Sequence, residues 1–149
     1  MFLNCHSYFS LCYGTLSVER LVEEASRNGV SAMVLTDINN SSGIPDFVQE
    51  CTRAGIKPLA GIEFRNGGEM LYTGIARNNE GFYELNDYLS RHLIEKKSFQ
   101  AMPPFLPNVW FVFPFGSRKL EQLSENEFLG VRITDLGRLR ILFSKAAFR

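Results

Sequence analysis

Histidine is nearly absent from this sequence. Only His6 and His92 occur in 149 residues, too few for a metal centre built from imidazoles alone, since a catalytic zinc takes three protein ligands and a two-metal site takes more. Cysteine is also scarce. Cys5, Cys12 and Cys51 are odd in number and lack Cys-x-x-Cys spacing, which excludes a disulfide framework and a zinc ribbon and leaves reduced thiols. No long apolar run exists: the longest, Val109–Phe113, cannot cross a bilayer. The N-terminus has no basic segment leading into an apolar one, so no secretory signal is read there. Net charge is zero. These absences together predict a soluble, cytoplasmic chain that does not engage a membrane.

What is present suits a packed domain. The chain is 45% hydrophobic and carries 13 Phe and 5 Tyr, enough for one real core and inconsistent with disorder. The charge is uneven. Residues 1–95 carry 7 basic and 12 acidic side chains, and residues 96–149 carry 9 basic and 4 acidic. A basic C-terminal portion could face nucleic acid, but Arg132, Arg138, Arg140 and Lys145 form no dense run, and no aromatic stacking motif accompanies them.

Strand-like and helix-like segments alternate. Phe2–His6 reads as a first strand. Ser17 is an N-cap for a helix carrying Val18, Leu21, Val22 and Ala25 at helical spacing, closed by Asn28-Gly29. Ala32–Thr36 is nearly all apolar, as in a strand buried on both faces. A polar loop from Asp37 leads to a helix opened by Pro45, with Phe47, Val48 and Cys51 as its buried face. Ile56–Phe64 and Met70–Ala76 flank Asn66-Gly67, a hairpin signal that makes these strands antiparallel neighbours. Asn79 is expected to cap a helix over Glu80–Glu95 with Phe82, Leu85, Leu89 and Leu93 inward and His92 on its surface. Residues 96–107 hold Pro103, Pro104 and Pro107 and read as a loop. A strand at Val109–Phe113, a short helix capped by Ser117, a strand at Phe128–Ile133 and a last helix from Asp135 through Leu136, Leu139, Leu142 and Phe143 complete the chain. The alternation predicts an α/β barrel-like or open α/β sheet. It has too few units for an eight-fold barrel, so 1–149 reads as one domain and an incomplete barrel, with an exposed strand edge if the chain ends at Arg149.

Chemistry in such folds sits at strand C-terminal ends. His6, Asp37 and Glu63 fall there in three successive units, and imidazole with carboxylate suits zinc, manganese or iron in phosphate-ester hydrolysis. Each has a structural alternative: Asp37 can hold a loop through backbone N–H groups, Glu63 can pair with Arg65, and His6 can be a satisfied buried imidazole.

The same residues carry a resemblance. Leu3-Asn-Cys-His-Ser-Tyr-Phe-Ser-Leu-Cys-Tyr-Gly14, Ala32-Met-Val-Leu-Thr-Asp-Ile-Asn-Asn-Ser-Ser-Gly43, Ala54-Gly-Ile-Lys-Pro-Leu-Ala-Gly-Ile-Glu-Phe64 and Ile75-Ala-Arg-Asn-Asn-Glu-Gly-Phe-Tyr-Glu-Leu-Asn86 follow in order. Together they resemble the PHP (polymerase and histidinol phosphatase) domain that opens bacterial DNA polymerase III alpha subunits. The resemblance is clear over residues 1–93. It implies the N-terminal portion of a distorted, TIM-barrel-like β/α barrel of seven units, with the polymerase core absent. Members that keep their metals carry His-x-His, Thr-Asp-His and a bridging Glu. His6, Asp37 and Glu63 match three of those positions, while Asn4, Tyr13, Ile38 and Tyr72 stand where ligands are expected. The implied function is a domain of DNA replication that has lost catalysis and serves as a structural and docking element. Its partners would be replisome subunits such as the proofreading exonuclease subunit, with DNA contacted through the missing polymerase regions. No cofactor is expected. The alternative is a metal-dependent phosphoesterase, a pyrophosphatase or 3′–5′ exonuclease, with zinc or manganese on His6 and Glu63 and with Asp37 taking part.

Overall fold

Six strands in the order β1 to β6 make a single sheet whose sequential neighbours all pair. The computed structural model describes residues 2–140. β1 (Phe2–Cys5), β2 (Ala32–Leu35) and β3 (Lys57–Asn66) run parallel, β4 (Glu69–Ala76) is antiparallel to β3 and to β5 (Val109–Pro114), and β6 (Glu127–Gly130) is parallel to β5. Five strands therefore point one way and β4 opposes them. The sheet curls into an α/β half-barrel with a concave inner face and helices on its outer face.

The helices form where the pattern places them. α1 (Val18–Arg27) opens on Ser17, whose hydroxyl accepts from the Arg20 amide, and it buries Val18, Val22 and Ala25. α2 (Ile44–Arg53) buries Ile44, Phe47 and Cys51. These faces meet Met33, Leu35 and Ile56 to form one core behind β1–β3. α3 (Asn79–Glu95) packs Leu85 and Leu89 against Ile62, Phe64, Tyr72, Phe111 and Phe113, forming a second core behind β3–β5. Fully burying one such side chain contributes about 1.5–3 kcal/mol. Large aromatics thus hold the C-terminal half of the sheet to α3.

Several details differ from the pattern. The cap of α3 is Asn78, whose side chain accepts from the Gly81 amide at 2.9 Å, one residue before the expected Asn79. Val48 and Leu93 are exposed because each lies at the rim of its helix's apolar stripe. His92 is half-buried. Its Nδ1 lies 2.8 Å from the Tyr88 carbonyl oxygen and its ring stacks on Phe99 at 4.8 Å. The hairpin turn is Gly67-Gly68, with Gly67 at φ +57°, so β3 extends through Asn66. Ser117 does not cap a helix: its hydroxyl donates to the Pro114 carbonyl, and only a 3₁₀ turn at Leu120–Gln122 follows. β6 ends at Gly130 rather than Ile133, since the Asp135 carboxylate accepts from the Arg132 amide at 3.1 Å and folds Ile133–Asp135 into another 3₁₀ turn. Residues 136–140 continue as helix, and Leu142 and Phe143 lie outside the described residues. All three cysteines are free, with Cys51 buried and Cys12 exposed. Burial raises the Cys5 and Cys51 thiols to about 11, helped at Cys51 by Cys5 and Glu50. No described helix is long and apolar enough to cross a membrane.

Candidate functional site

In a strand, alternate residues share a face, so Glu63 and Arg65 both point from β3 to the concave side. Ile62 and Phe64 point outward to α3. Glu63 is wholly buried, and its carboxylate is the hub of the inner face. Its Oε2 accepts from Asn4 Nδ2 at 3.0 Å and lies 3.2 Å from His6 Nε2. Its Oε1 accepts from Arg65 Nε. Burial pushes the Glu63 carboxyl up, but hydrogen bonds from His6, Asn4 and Arg65, with the attraction of His6, outweigh it and hold the group at about 2. Glu63 is therefore ionised, and a carboxylate only accepts. The His6 nitrogen facing it must be the protonated one.

The structure brings His6, Asn4 and Glu63 together. Asn4 is fixed from its other side, because Thr36 Oγ1 donates to Asn4 Oδ1 at 2.7 Å. Arg65 is held at both ends. Its amide donates to Asn39 Oδ1 at 2.9 Å, its carbonyl accepts from Asn39 Nδ2 at 2.8 Å, and its guanidinium lies 4.3 Å from the centroid of the Tyr13 ring. Tyr13 therefore reaches the cluster as a cover over Arg65, with half of its own surface exposed.

Asp37 stands apart from the Glu63 hub. Both its oxygens are taken: Oδ1 accepts from the Ser7 amide at 2.7 Å and the Ser10 hydroxyl at 2.6 Å, and Oδ2 accepts from the Ser7 hydroxyl at 2.7 Å. Ile38 is half-buried and bridges β3 through its backbone beside Glu63. Tyr72 is not brought to the cluster. It pairs with Phe64 on the outer face, packs edge-on against Phe111 and Phe113, and bonds Tyr88 hydroxyl to hydroxyl at 2.9 Å. Burial and Tyr88 drive its phenol far above the ordinary range. The β4 residue opposite Glu63 is Thr73, since a one-residue offset along a strand exchanges the two faces.

Beyond Asn4 and Thr73 the concave face opens into a cleft of about 430 Å³, lined also by Val112, Phe115, Val131 and Arg132. Ser7, Ser10, Thr36 and Asn39 were not legible as site residues, because hydroxyl and amide side chains in a polar loop carry no periodic signal. Among the described residues no three His, Cys, Asp or Glu side chains are grouped to hold a metal ion.

The family model for the PHP domain matches residues 3–137. The DNA polymerase III subunit alpha of Staphylococcus aureus is 31% identical over 118 residues, covering 75% of this chain and 11% of that protein. An error-prone DNA polymerase of Symbiobacterium thermophilum is 32% identical over 119 residues, covering 80% of this chain and 10% of that protein. The chain thus spans about a tenth of the length of these relatives. Among solved structures, an amidohydrolase from Chromobacterium violaceum with bound sulfate superposes with a TM-score of 0.51 at 14% identity, over 97% of this chain and 73% of that one. A protein of Bifidobacterium adolescentis described as a metal-dependent phosphoesterase gives 0.50 at 19% identity, over 63% of this chain and 32% of that one. At these identities the two structures speak to the fold, and both are barrels of the PHP and amidohydrolase type. The family match over nearly the whole described chain and the polymerase relatives agree with the half-barrel and its strand-end cluster: the chain belongs to the PHP domain family.

Proposed function

We propose that this chain is a non-catalytic PHP domain of a replicative polymerase alpha subunit, acting as a structural and docking element of the DNA replication machinery. The observation that carries the reading is the state of the strand-end donors. Asn4 is a poor transition-metal ligand and Ile38 has no donor atom. Both Asp37 oxygens are already bound to Ser7 and Ser10. His6 Nε2 is turned to the Glu63 carboxylate at 3.2 Å, and a site of His6 and Glu63 alone falls short of the three protein ligands a catalytic zinc takes. The residues present do not fit a metal cluster.

The polymerase relatives support the replication setting. In that setting the partners would be other replisome subunits, the proofreading exonuclease subunit among them, and DNA would be engaged by polymerase regions outside this chain. Such a protein acts in the cytoplasm.

Two measurements test the proposal. The purified chain, dialysed against chelator and then supplied with manganese or zinc, is expected to retain no stoichiometric metal and to hydrolyse no phosphate ester. Metal at stoichiometric occupancy, with activity abolished by His6→Ala and by Glu63→Ala, would overturn it in favour of a phosphoesterase. For the docking role, the immobilised chain is expected to retain the exonuclease subunit from a mixture of purified replisome proteins. Retention of none of them counts against that role.

A further inference from the structure

We propose that Arg65 is a built-in replacement for a metal cation at the strand-end cluster, so that the guanidinium, rather than a bound ion, is the charge that the Glu63 carboxylate was left to meet. The inference rests on the non-catalytic reading above. It starts from a disagreement between the family's chemistry and these residues. A buried carboxylate needs a cationic partner or a full set of donors. Glu63 is wholly buried, and among its three side-chain partners only Arg65 carries a permanent charge.

Four features make Arg65 a fitted part of the cluster rather than a chance surface ion pair. It lies two residues after Glu63 on the same face of β3. The strand stays regular there, because the register shift between β3 and β4 leaves the additional residue, Leu71, on β4. The Arg65 backbone is pinned on both its amide and its carbonyl by the Asn39 side chain. The side chain is only 10% exposed. Its guanidinium is covered by the Tyr13 ring at 4.3 Å, a stacking geometry that suits a planar, weakly hydrated cation. Tyr13 itself stands at a position where the family resemblance expects a ligand. Tyr13 and Arg65 thus act as one device. The aromatic ring at a lost ligand position shelters the arginine that supplies the lost charge.

With the guanidinium removed, Glu63 is left as a buried carboxylate short of a counter-charge, and its freed Oε1 is open to an added ion. Divalent metal should then stabilise a chain that is indifferent to it while Arg65 is in place.

The test uses the full 149-residue chain, stripped of metal with chelator, as wild type, Arg65→Ala and Arg65→Lys, with melting temperatures read with and without manganese chloride. Wild type is expected to melt at the same temperature in both conditions. Arg65→Ala should melt roughly 10 °C lower without metal, since breaking a buried pair strands a charge, and should recover several degrees with manganese. Arg65→Lys should fall between, because an ammonium keeps the charge but loses the fork and the stacking. The assignment is overturned if Arg65→Ala melts within about a degree of wild type, or if manganese raises wild type as much as the variant. Nitrogen-15 spectra of wild-type His6 supply a readout that does not depend on the variants folding. They should find Nε2 protonated at neutral pH, and a bare Nε2 would overturn the arrangement. The two readings fail separately: phosphate-ester hydrolysis by wild type with manganese would sink the non-catalytic reading, whereas a metal-insensitive Arg65→Ala sinks only the role of Arg65.

Discussion

Ser10 stands between Asp37 and the residue after it: its hydroxyl donates to Asp37 Oδ1 at 2.6 Å while accepting from the Ile38 amide at 3.0 Å. With Ser7 contributing its amide and hydroxyl, one buried carboxylate fastens the loop after β1 to the end of β2. An acid at a strand end has here become a loop staple. Asp37→Ala leaves three donors without their acceptor in a buried setting. The expected cost is roughly 3–5 kcal/mol, read as a lower midpoint in urea unfolding with the slope unchanged. A loss below about 1 kcal/mol would mean that the Ser7 and Ser10 groups find water instead.

Glu63 makes stability depend on acid. Its carboxyl is held at about 2 against an ordinary 4.5, so between those values the unfolded chain binds a proton that the folded one refuses. The stabilisation is fully present above about pH 4.5 and is lost as pH falls toward 2. At neutral pH it amounts to on the order of 3 kcal/mol. Urea midpoints measured from pH 7 down to 3 should decline through the lower part of that range. Glu63→Gln should be less stable at pH 7 and show a flatter decline. An equally steep profile in the variant would assign the acid sensitivity to other carboxylates.

The elements were legible where periodicity had a single physical cause. Val18, Val22 and Ala25 at helical spacing can bury only as one helix face, and the unbroken apolar run Met33–Leu35 belongs in a strand covered on both sides. Legibility fell at strand ends and hairpins, because one residue decides which face a side chain takes. Tyr72 and Thr73 are adjacent, both are buried, and nothing local to them states which meets Glu63. That is fixed by the pairing of β4 with β3. Phe128–Ile133 misled for another reason: Val131 and Ile133 have strand propensity, but the Arg132–Asp135 hydrogen bonds turn the chain first. In the cluster, His6 and Glu63 were found from their placement. The cover of Tyr13 on Arg65 joins residues about fifty positions apart, and only the curl of the sheet brings them into contact.

The two ends of the sheet carry the last prediction. Among the described residues β1 pairs only with β2, and β6 only with β5. Each of these strands therefore presents an unpaired row of backbone N–H and C=O groups, beside Phe2 at 54% exposure on β1 and Phe128 at 47% on β6. An open edge flanked by exposed apolar side chains is a template for another strand. Natural sheets block such edges with lysine, because its charge cannot be buried in a new ladder. The 149-residue chain is expected to associate with rising concentration, seen by light scattering as a mass above the 16.9 kDa of one chain. Phe2→Lys with Phe128→Lys should restore the single-chain mass at the same concentrations. Neither side chain belongs to the buried cores, so the melting temperature should move by only a few degrees. If wild type stays at the single-chain mass throughout, the edges are closed by something other than a partner strand. If the double variant associates as strongly as wild type, the contact lies elsewhere, with the open cleft beside Val112 and Phe115 the next surface to alter.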